Sequence, residues 1–168
     1  MTAVLAVKHR RLRLPKGLIG LVSDTHGLVR PQALAALQGS ELIIHAGDIG
    51  KPEVLDVFAA LAPVLAIRGN NDRDAWAKKL PEALYLRLNG ARVYVIHDIG
   101  DLDFDPAAEG IQAVVSGHSH KPSTVHRSGV LFINPGSAGP RRFTLPVAVG
   151  KLCIRKNQLR ARTIDLQL

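Results

Sequence analysis

Short apolar runs separated by turn residues constrain the fold of this chain more than any other sequence feature. In the first half of the chain, runs typical of buried strands occur at 18–23, 42–46 and 64–67. Pro31 and Pro52 each suit the first turn of a helix, which predicts helices over 31–37 and 52–61. This β-α-β-α-β order predicts parallel strands joined by right-handed crossovers.

The second half of the chain is predicted to be mainly β. After a short helix near 74–79, two alternating runs at 84–88 and 93–96 flank Asn89-Gly90, a strong signal for a two-residue hairpin turn. Further short strands are predicted at 114–116, 123–126, 130–133, 146–154 and 159–165. The expected fold class is therefore α/β, a two-sheet β-sandwich flanked by helices, forming a single domain over 17–168.

Composition excludes several classes of protein. The 168 residues are 46% hydrophobic and 21% charged, which is typical of a globular domain rather than a disordered chain. The one cysteine, Cys153, excludes an intrachain disulfide and a thiolate zinc cluster. No apolar run approaches the roughly 18 residues that cross a bilayer, so we expect no membrane association and a cytoplasmic location.

The net charge of +8 is concentrated at the two ends of the chain. Residues 1–16 carry +5 and residues 151–168 carry +4, whereas the middle carries −1. A nucleic-acid reader usually gathers its charge around a recognition surface, so nucleic acid is not the favoured partner. The order of basic and apolar residues in 1–16 is the reverse of a signal peptide. We interpret 1–16 as a basic extension, either a partly disordered tail or an added edge strand.

Polar side chains close five of the predicted strands, at the edge of an α/β sheet where ligands collect. They are Asp24, His26, Asp48, Asn70, His97, His118 and His120. Clustered carboxylates would repel one another without a cation, which predicts a pair of divalent metal ions. The nitrogen and oxygen donors suit Mn, Fe, Ni, Co or Zn without choosing among them. Manganese is our leading expectation.

The ordered motifs resemble those of the calcineurin-like dimetal metallophosphoesterases. The motifs are Asp24-x-His26, Gly47-Asp48, Gly69-Asn70-x-Asp72, His97 and Gly117-His118-x-His120. The short chain and the loop Asn134-Pro135-Gly136-Ser137, followed by Pro140-Arg141, resemble the small bacterial and archaeal phosphodiesterase branch. The resemblance covers about 18–165 and implies a four-layer α/β/β/α fold.

The resemblance also implies how the metals would be held. One ion would take Asp24, His26, Asp48 and His120, and the other would take Asp48, Asn70, His97 and His118. A hydroxide bridging the two ions would attack phosphorus in line and hydrolyse a small phosphodiester. Small phosphoesters are therefore the expected substrates, and the resemblance leaves a homo-oligomer open.

This sequence departs from the family pattern at two positions. Many members have a histidine after the metal-binding Asn70, where this chain has Asn71, which cannot donate a proton as an acid. His97 is followed by Asp98 where glycine is usual, and Asp98 either hydrogen-bonds near the metals or faces solvent. Asn71, Arg141 and Ser137 are the candidate contacts to the substrate.

Two further residues have structural interpretations. His45, inside a buried strand, is expected to be a satisfied core histidine, with support of Asp48 as the alternative. Asp72 is expected to brace the loop that presents Asn70. The alternatives to a phosphodiesterase are a nuclease or a phosphomonoesterase of the same family, and a non-catalytic scaffold, since a retromer subunit uses this fold without evident catalysis.

Overall fold

Two β-sheets pack face to face in the computed structural model, which describes residues 5–168. The strands are β1 (Val7–Leu12), β2 (Leu18–Val22), β3 (Leu42–His45), β4 (Val64–Ala66), β5 (Ala83–Leu88), β6 (Ala91–Ile96), β7 (Ala113–Val115), β8 (Ser123–Arg127), β9 (Val130–Asn134), β10 (Ala148–Arg155) and β11 (Gln158–Asp165). The described part of the chain has two α-helices, α1 (Pro31–Ala36) and α2 (Glu53–Ala59), and two 3₁₀ turns, Ala77–Lys79 and Ile99–Asp101.

One sheet has six strands in the order β1-β5-β6-β7-β9-β8, and the other has five in the order β11-β10-β2-β3-β4. Strands β2, β3 and β4 pair in parallel, as the alternation of strand and helix predicts. The hairpin predicted at Asn89-Gly90 joins β5 to β6. The expected α/β two-sheet fold class is confirmed.

The main core lies between the two sheets and follows the alternation of side chains along each strand. On β5, Leu84, Leu86 and Leu88 are buried in this core, whereas Tyr85 and Arg87 face the other side of the sheet. Leu21 and Ile44 meet them from the five-stranded sheet. Because one face of each strand is fixed by this burial, the register of the ligand-bearing strands is fixed as well.

The outer layers differ between the two sheets. Helices α1 and α2 cover the five-stranded sheet through Ala33 and Phe58, both fully buried. Over the six-stranded sheet, the covering layer is the 3₁₀ turn Ile99–Asp101 with the irregular segment that follows it, which packs Phe104 and Ile111 on the strands. The helix predicted near 74–79 is only the 3₁₀ turn Ala77–Lys79, because that segment presents a single buried side chain. No helix within residues 5–168 has the length and apolar character that crossing a bilayer requires.

Residues 7–12 of the basic extension form the edge strand β1, which pairs in parallel with β5. Residues 1–4 of that extension lie outside the described residues. The Asn89 side chain fastens the segment between β1 and β2: its Oδ1 accepts from the Leu14 amide at 2.7 Å. Its Nδ2 donates to the carbonyls of Leu14 at 2.9 Å and Ile154 at 3.1 Å. One hairpin residue thus ties both sheets to the extension.

We expect Asn89→Ala to lower the free energy of unfolding by about 2–4 kcal/mol, since three hydrogen bonds are lost and buried groups are left without partners. Asn157→Ala is the matched control, because Asn157 also occupies a hairpin turn at positive φ (62°, against 50° for Asn89) but is exposed. The control should lower the free energy of unfolding by only about 1 kcal/mol, the cost of alanine in a left-handed conformation. Urea unfolding measures both, and equal losses would show that the cross-links contribute nothing.

Candidate metal centre

The seven candidate ligands meet at one edge of the sandwich because both sheets end there. Asp24 follows β2 and Asp48 follows β3, in the five-stranded sheet. His97 follows β6 directly, and the loop carrying His118 and His120 follows β7, in the six-stranded sheet. Asn70 lies in the loop after β4. The carboxyl ends of these strands therefore deliver ligands from two sheets to one place.

A first group of ligand atoms surrounds Asp24. Its Oδ1 lies 3.2 Å from His120 Nε2 and 4.0 Å from His26 Nε2. The two imidazole nitrogens are 3.4 Å from each other. One oxygen and two nitrogens therefore converge from three directions, which is the arrangement that a divalent cation requires.

A second group forms around Asp48 and Asn70. Asp48 Oδ2 lies 3.5 Å from His97 Nε2 and 3.9 Å from His26 Nε2, so the Asp48 carboxylate stands between the two groups. Asn70 Oδ1 is 3.0 Å from His97 Nε2 and 3.2 Å from His118 Nδ1. The structure thus brings together all seven residues that the sequence singles out.

One atom tests whether these residues fit a metal. Asp24 Oδ1 is buried and has no hydrogen-bond partner, although Asp24 Oδ2 accepts from Ser23 Oγ at 2.6 Å and from the His118 amide at 3.1 Å. A buried carboxylate oxygen without a donor is costly. Because it faces imidazole nitrogens, a cation at this point would satisfy it, and the residues fit a metal ion.

Five of the seven candidate ligands have a left-handed backbone. Their φ angles are 54° for Asp24, 45° for His26, 54° for Asp48, 66° for His118 and 59° for His120. Each such residue costs about 1 kcal/mol or more, and this kind of strain gathers at functional sites. Nothing in the sequence predicts these angles, because the left-handed region favours glycine and these residues are aspartates and histidines.

The glycines that directly precede Asn70 and His118 allow close approach rather than a special φ. A Cβ on Gly69 would overlap the carboxylate and backbone amide of Asp48, and a Cβ on Gly117 would overlap Ser23 Oγ. The glycines that directly precede Asn70 and His118 are therefore required by the space that the two carboxylates occupy.

The network holds both carboxylates ionised. Burial alone would raise the pKa of Asp24, but the His120 imidazole 3.2 Å from its Oδ1 and the hydrogen bond from Ser23 bring it below its usual value. Burial likewise opposes the lowered pKa of Asp48, where His97 and the Asn71 amide prevail. Burial would lower the pKa of His97, but its contacts with Asp48 and Asp24 raise it. The centre is thus a concentration of negative charge prepared for cations.

Buried residues behind the ligands hold their loops. Asp72 accepts from the amides of Ile49 and Gly50 at 3.0 Å and of Gly69 at 2.9 Å, so it braces the Asn70 loop as expected. His45 Nε2 lies 2.9 Å from Thr25 Oγ1, and its Nδ1 accepts from the Gly47 amide at 3.2 Å. Complete burial lowers the pKa of His45 to about 4, so it is a neutral core histidine.

Comparison with known proteins agrees with this geometry. The model of the calcineurin-like phosphoesterase superfamily domain matches residues 18–156. The chain belongs to this superfamily. It is 34% identical over 141 residues to a probable metallophosphoesterase of Methanothermobacter thermautotrophicus, a match that covers 77% of the chain and 81% of the relative.

Two solved structures are similar to this chain in fold. A novel archaeal phosphodiesterase is 25% identical, with a TM-score of 0.72 and coverage of 88% of this chain and 99% of that one. Vps29 of Entamoeba histolytica, complexed with Zn²⁺, is 20% identical, with a TM-score of 0.68 and coverage of 89% and 99%. The second likeness shows the shared fold alone.

The three candidate substrate contacts suggested by the sequence have different surroundings in the structure. Asn71 donates from its amide to Asp48 Oδ1 at 2.9 Å and from Nδ2 to Asp48 Oδ2 at 2.7 Å. Ser137 is buried, and its hydroxyl donates to the Asp24 carbonyl at 2.9 Å. Arg141 is exposed and donates to the carbonyl of Leu168. These contacts give Ser137 a bracing role.

Asp98 lies beside the ligands rather than in open solvent. Its Oδ1 accepts from the Gly100 amide at 2.8 Å, and its Oδ2 is 3.4 Å from His118 Nε2. The ring of His118, whose Nδ1 faces Asn70, is therefore held from both sides.

Two further residues around the centre have roles that sequence reasoning did not assign. Leu5, from the extension, lines the cleft of about 200 Å³ that also contains Asn70 and His97. Asn134 donates from Nδ2 to the Gly117 carbonyl at 2.8 Å and so holds the histidine loop. Only the position of Asn134 beside Pro135 offered a signal for its role.

We expect Gly69→Ala to weaken binding of the first Mn²⁺ equivalent by about tenfold to a hundredfold, because the new methyl group displaces the Asp48 carboxylate. Gly100→Ala is the control, since its Cβ would meet only the Asp98 side chain, with Oδ1 nearest at 3.2 Å, and neither Asp24 nor Asp48. Isothermal titration of metal into chelator-treated protein measures both variants. Equal affinity of Gly69→Ala and the parent protein would contradict the close packing inferred here.

Proposed function

We propose that this chain is a phosphodiesterase that hydrolyses small phosphodiesters with two divalent cations. The observation that carries the proposal is the buried, unpartnered Asp24 Oδ1, which faces the nitrogens of His26 and His120. A structural carboxylate would be hydrogen-bonded on both oxygens. The likeness to an archaeal phosphodiesterase supports the same reading.

The seven ligands divide between two metal positions. Asp24, His26, Asp48 and His120 would hold one cation, and Asp48, Asn70, His97 and His118 would hold the other. When bound, such a pair lowers the pKa of water towards neutrality and neutralises the oxygens of a phosphoryl group. Manganese is our first choice, with Ni, Fe, Co or Zn as alternatives.

The chain's own residues orient the two carboxylates. His97 Nδ1 donates to the Ala46 carbonyl at 2.7 Å, which turns its Nε2 towards Asp48. Asn71 donates to both oxygens of Asp48 and so holds the shared carboxylate in one orientation. Both groups of Asn71 that contact Asp48 are amide donors, and an amide has no acidic proton. Asn71 therefore does not protonate the leaving group of the substrate.

A non-catalytic scaffold is the second candidate, because Vps29 has the same fold. The complete set of ligands favours an enzyme over a scaffold. We also propose a cytoplasmic location, where a lone cysteine stays reduced.

The first test is hydrolysis of bis(4-nitrophenyl) phosphate by the purified protein loaded with Mn²⁺. We expect Asp48→Asn and His97→Gln each to reduce the rate more than about a hundredfold, since each removes a ligand. Chelation should abolish activity and Mn²⁺ should restore it. His126→Gln is the matched control, because His126 is exposed on β8. A parent protein that binds metal but hydrolyses neither this diester nor 4-nitrophenyl phosphate would support the scaffold.

The second test uses a series of aryl methyl phosphodiesters with leaving groups of increasing pKa. Because Asn71 supplies no proton, we expect the rate to fall steeply as the leaving-group pKa rises. The logarithm of kcat/KM plotted against that pKa measures the dependence. A flat plot would mean that another group of this chain protonates the leaving oxygen.

A further inference from the structure

Three arginines form a row across the outer face of the six-stranded sheet. Arg11 on β1 lies directly opposite Arg87 on β5, and Arg87 lies opposite Arg92 on β6. The neighbours of Arg87 along β5, Leu86 and Leu88, are buried between the sheets, so the row faces away from the core. We call these three residues the arginine row.

The arginine row carries charge that the protein does not neutralise. Adjacent strands are only about 4.8 Å apart, and like charges directly opposite each other destabilise a sheet. Within residues 5–168, the one ion pair between an arginine and a carboxylate joins Arg68 to Glu82. None of the three arginines of the row forms an ion pair within this part of the chain. Arg92 Nη1 donates to the Glu109 carbonyl at 3.1 Å, which leaves its charge unpaired. An anion placed on the row would relieve this repulsion.

An aromatic pair lies on the same face, two residues along each strand from Arg11 and Arg87. His9 on β1 stacks on Tyr85 on β5, with ring centroids 5.2 Å apart and an angle of 27° between the planes. His9 is exposed and Tyr85 is half-buried. The two rings and Arg10, Arg11 and Arg87 line a depression of about 360 Å³.

We propose that this face binds single-stranded nucleic acid, with backbone phosphates on the arginine row and a base against the His9–Tyr85 pair. Arginine offers paired donors that match a phosphate group, and aromatic rings beside a basic track stack on bases of any sequence. A duplex hides its base faces, so the aromatic pair favours a single strand. Binding to a lipid surface would require protruding apolar side chains. On this part of the face, Val7 is the exposed large apolar residue.

The proposed surface depends on the extension and is independent of the metal ligands. The superfamily match begins at residue 18, whereas His9 and Arg11 belong to β1. The sequence alone interprets the basic extension as a partly disordered tail or an added edge strand. The structure shows the edge strand, in which Arg11 completes a row with Arg87 and Arg92. Leu5, at the other end of β1, lines the metal cleft, so bound nucleic acid lies within about 20 Å of the ligands.

The test measures fluorescence anisotropy of a labelled oligothymidylate of about 12 nucleotides with the metal-loaded protein, and a gel monitors the label for cleavage. For the double variant Arg11→Gln/Arg87→Gln we expect at least about tenfold weaker binding. The slope of log K against log salt should fall by about 1.4, since each phosphate contact to a single strand contributes about 0.7. Tyr85→Leu should weaken binding about tenfold and leave the slope unchanged.

The matched control is Arg160→Gln/Arg162→Gln, which removes the same charge from exposed positions on β11. This control variant should have the same slope of log K against log salt as the parent protein. The variant Arg11→Lys/Arg87→Lys should also keep that slope. Thermal unfolding checks that every variant is folded, and loss of repulsion predicts no decrease for Arg11→Gln/Arg87→Gln. Equal losses in the test and control variants, equal affinity for a duplex, or binding only to phosphatidylserine vesicles would each overturn the proposal.

Discussion

The mutual repulsion of two buried carboxylates, Asp24 and Asp48, is the constraint on which one whole edge of this molecule depends. Two negative charges removed from water raise the free energy of the fold unless other groups compensate. For Asp48, the His97 imidazole at 3.5 Å and the amide donors of Asn71 supply that compensation, and for Asp24 the Ser23 hydroxyl supplies part of it at Oδ2. The unpartnered Asp24 Oδ1 shows that the compensation is incomplete and is directed towards a cation.

The backbone around this edge is shaped by the same constraint. Left-handed residues turn each chain sharply after its strand, so that side chains from two sheets point to a common centre. Gly69 and Gly117 leave room for the carboxylates, and Asp72 gathers three backbone amides beneath them. The large apolar core between the sheets stabilises the chain enough to carry this strain.

Much of this arrangement could be predicted from the sequence. The meeting of the seven candidate ligands at one edge, the parallel order of β2, β3 and β4, and the bracing role of Asp72 follow from which polar residues close which apolar runs. The pairing of β1 with β5 could not be predicted, because the two strands are more than seventy positions apart and three of the six residues of β1 are charged. The buried hydroxyl of Ser137 and the left-handed ligands also lay beyond sequence reasoning, since both depend on contacts between distant segments.

The charged character of β1 has a consequence for how the molecule behaves in a concentrated solution. A sheet that ends on an exposed strand offers unpaired backbone groups to any neighbouring chain and invites growth into a fibril. Here the outermost strand runs from Val7 to Leu12 with Lys8, Arg10 and Arg11 exposed along it. A second copy approaching that edge would bring equal charges together, so these side chains protect the sheet from self-association.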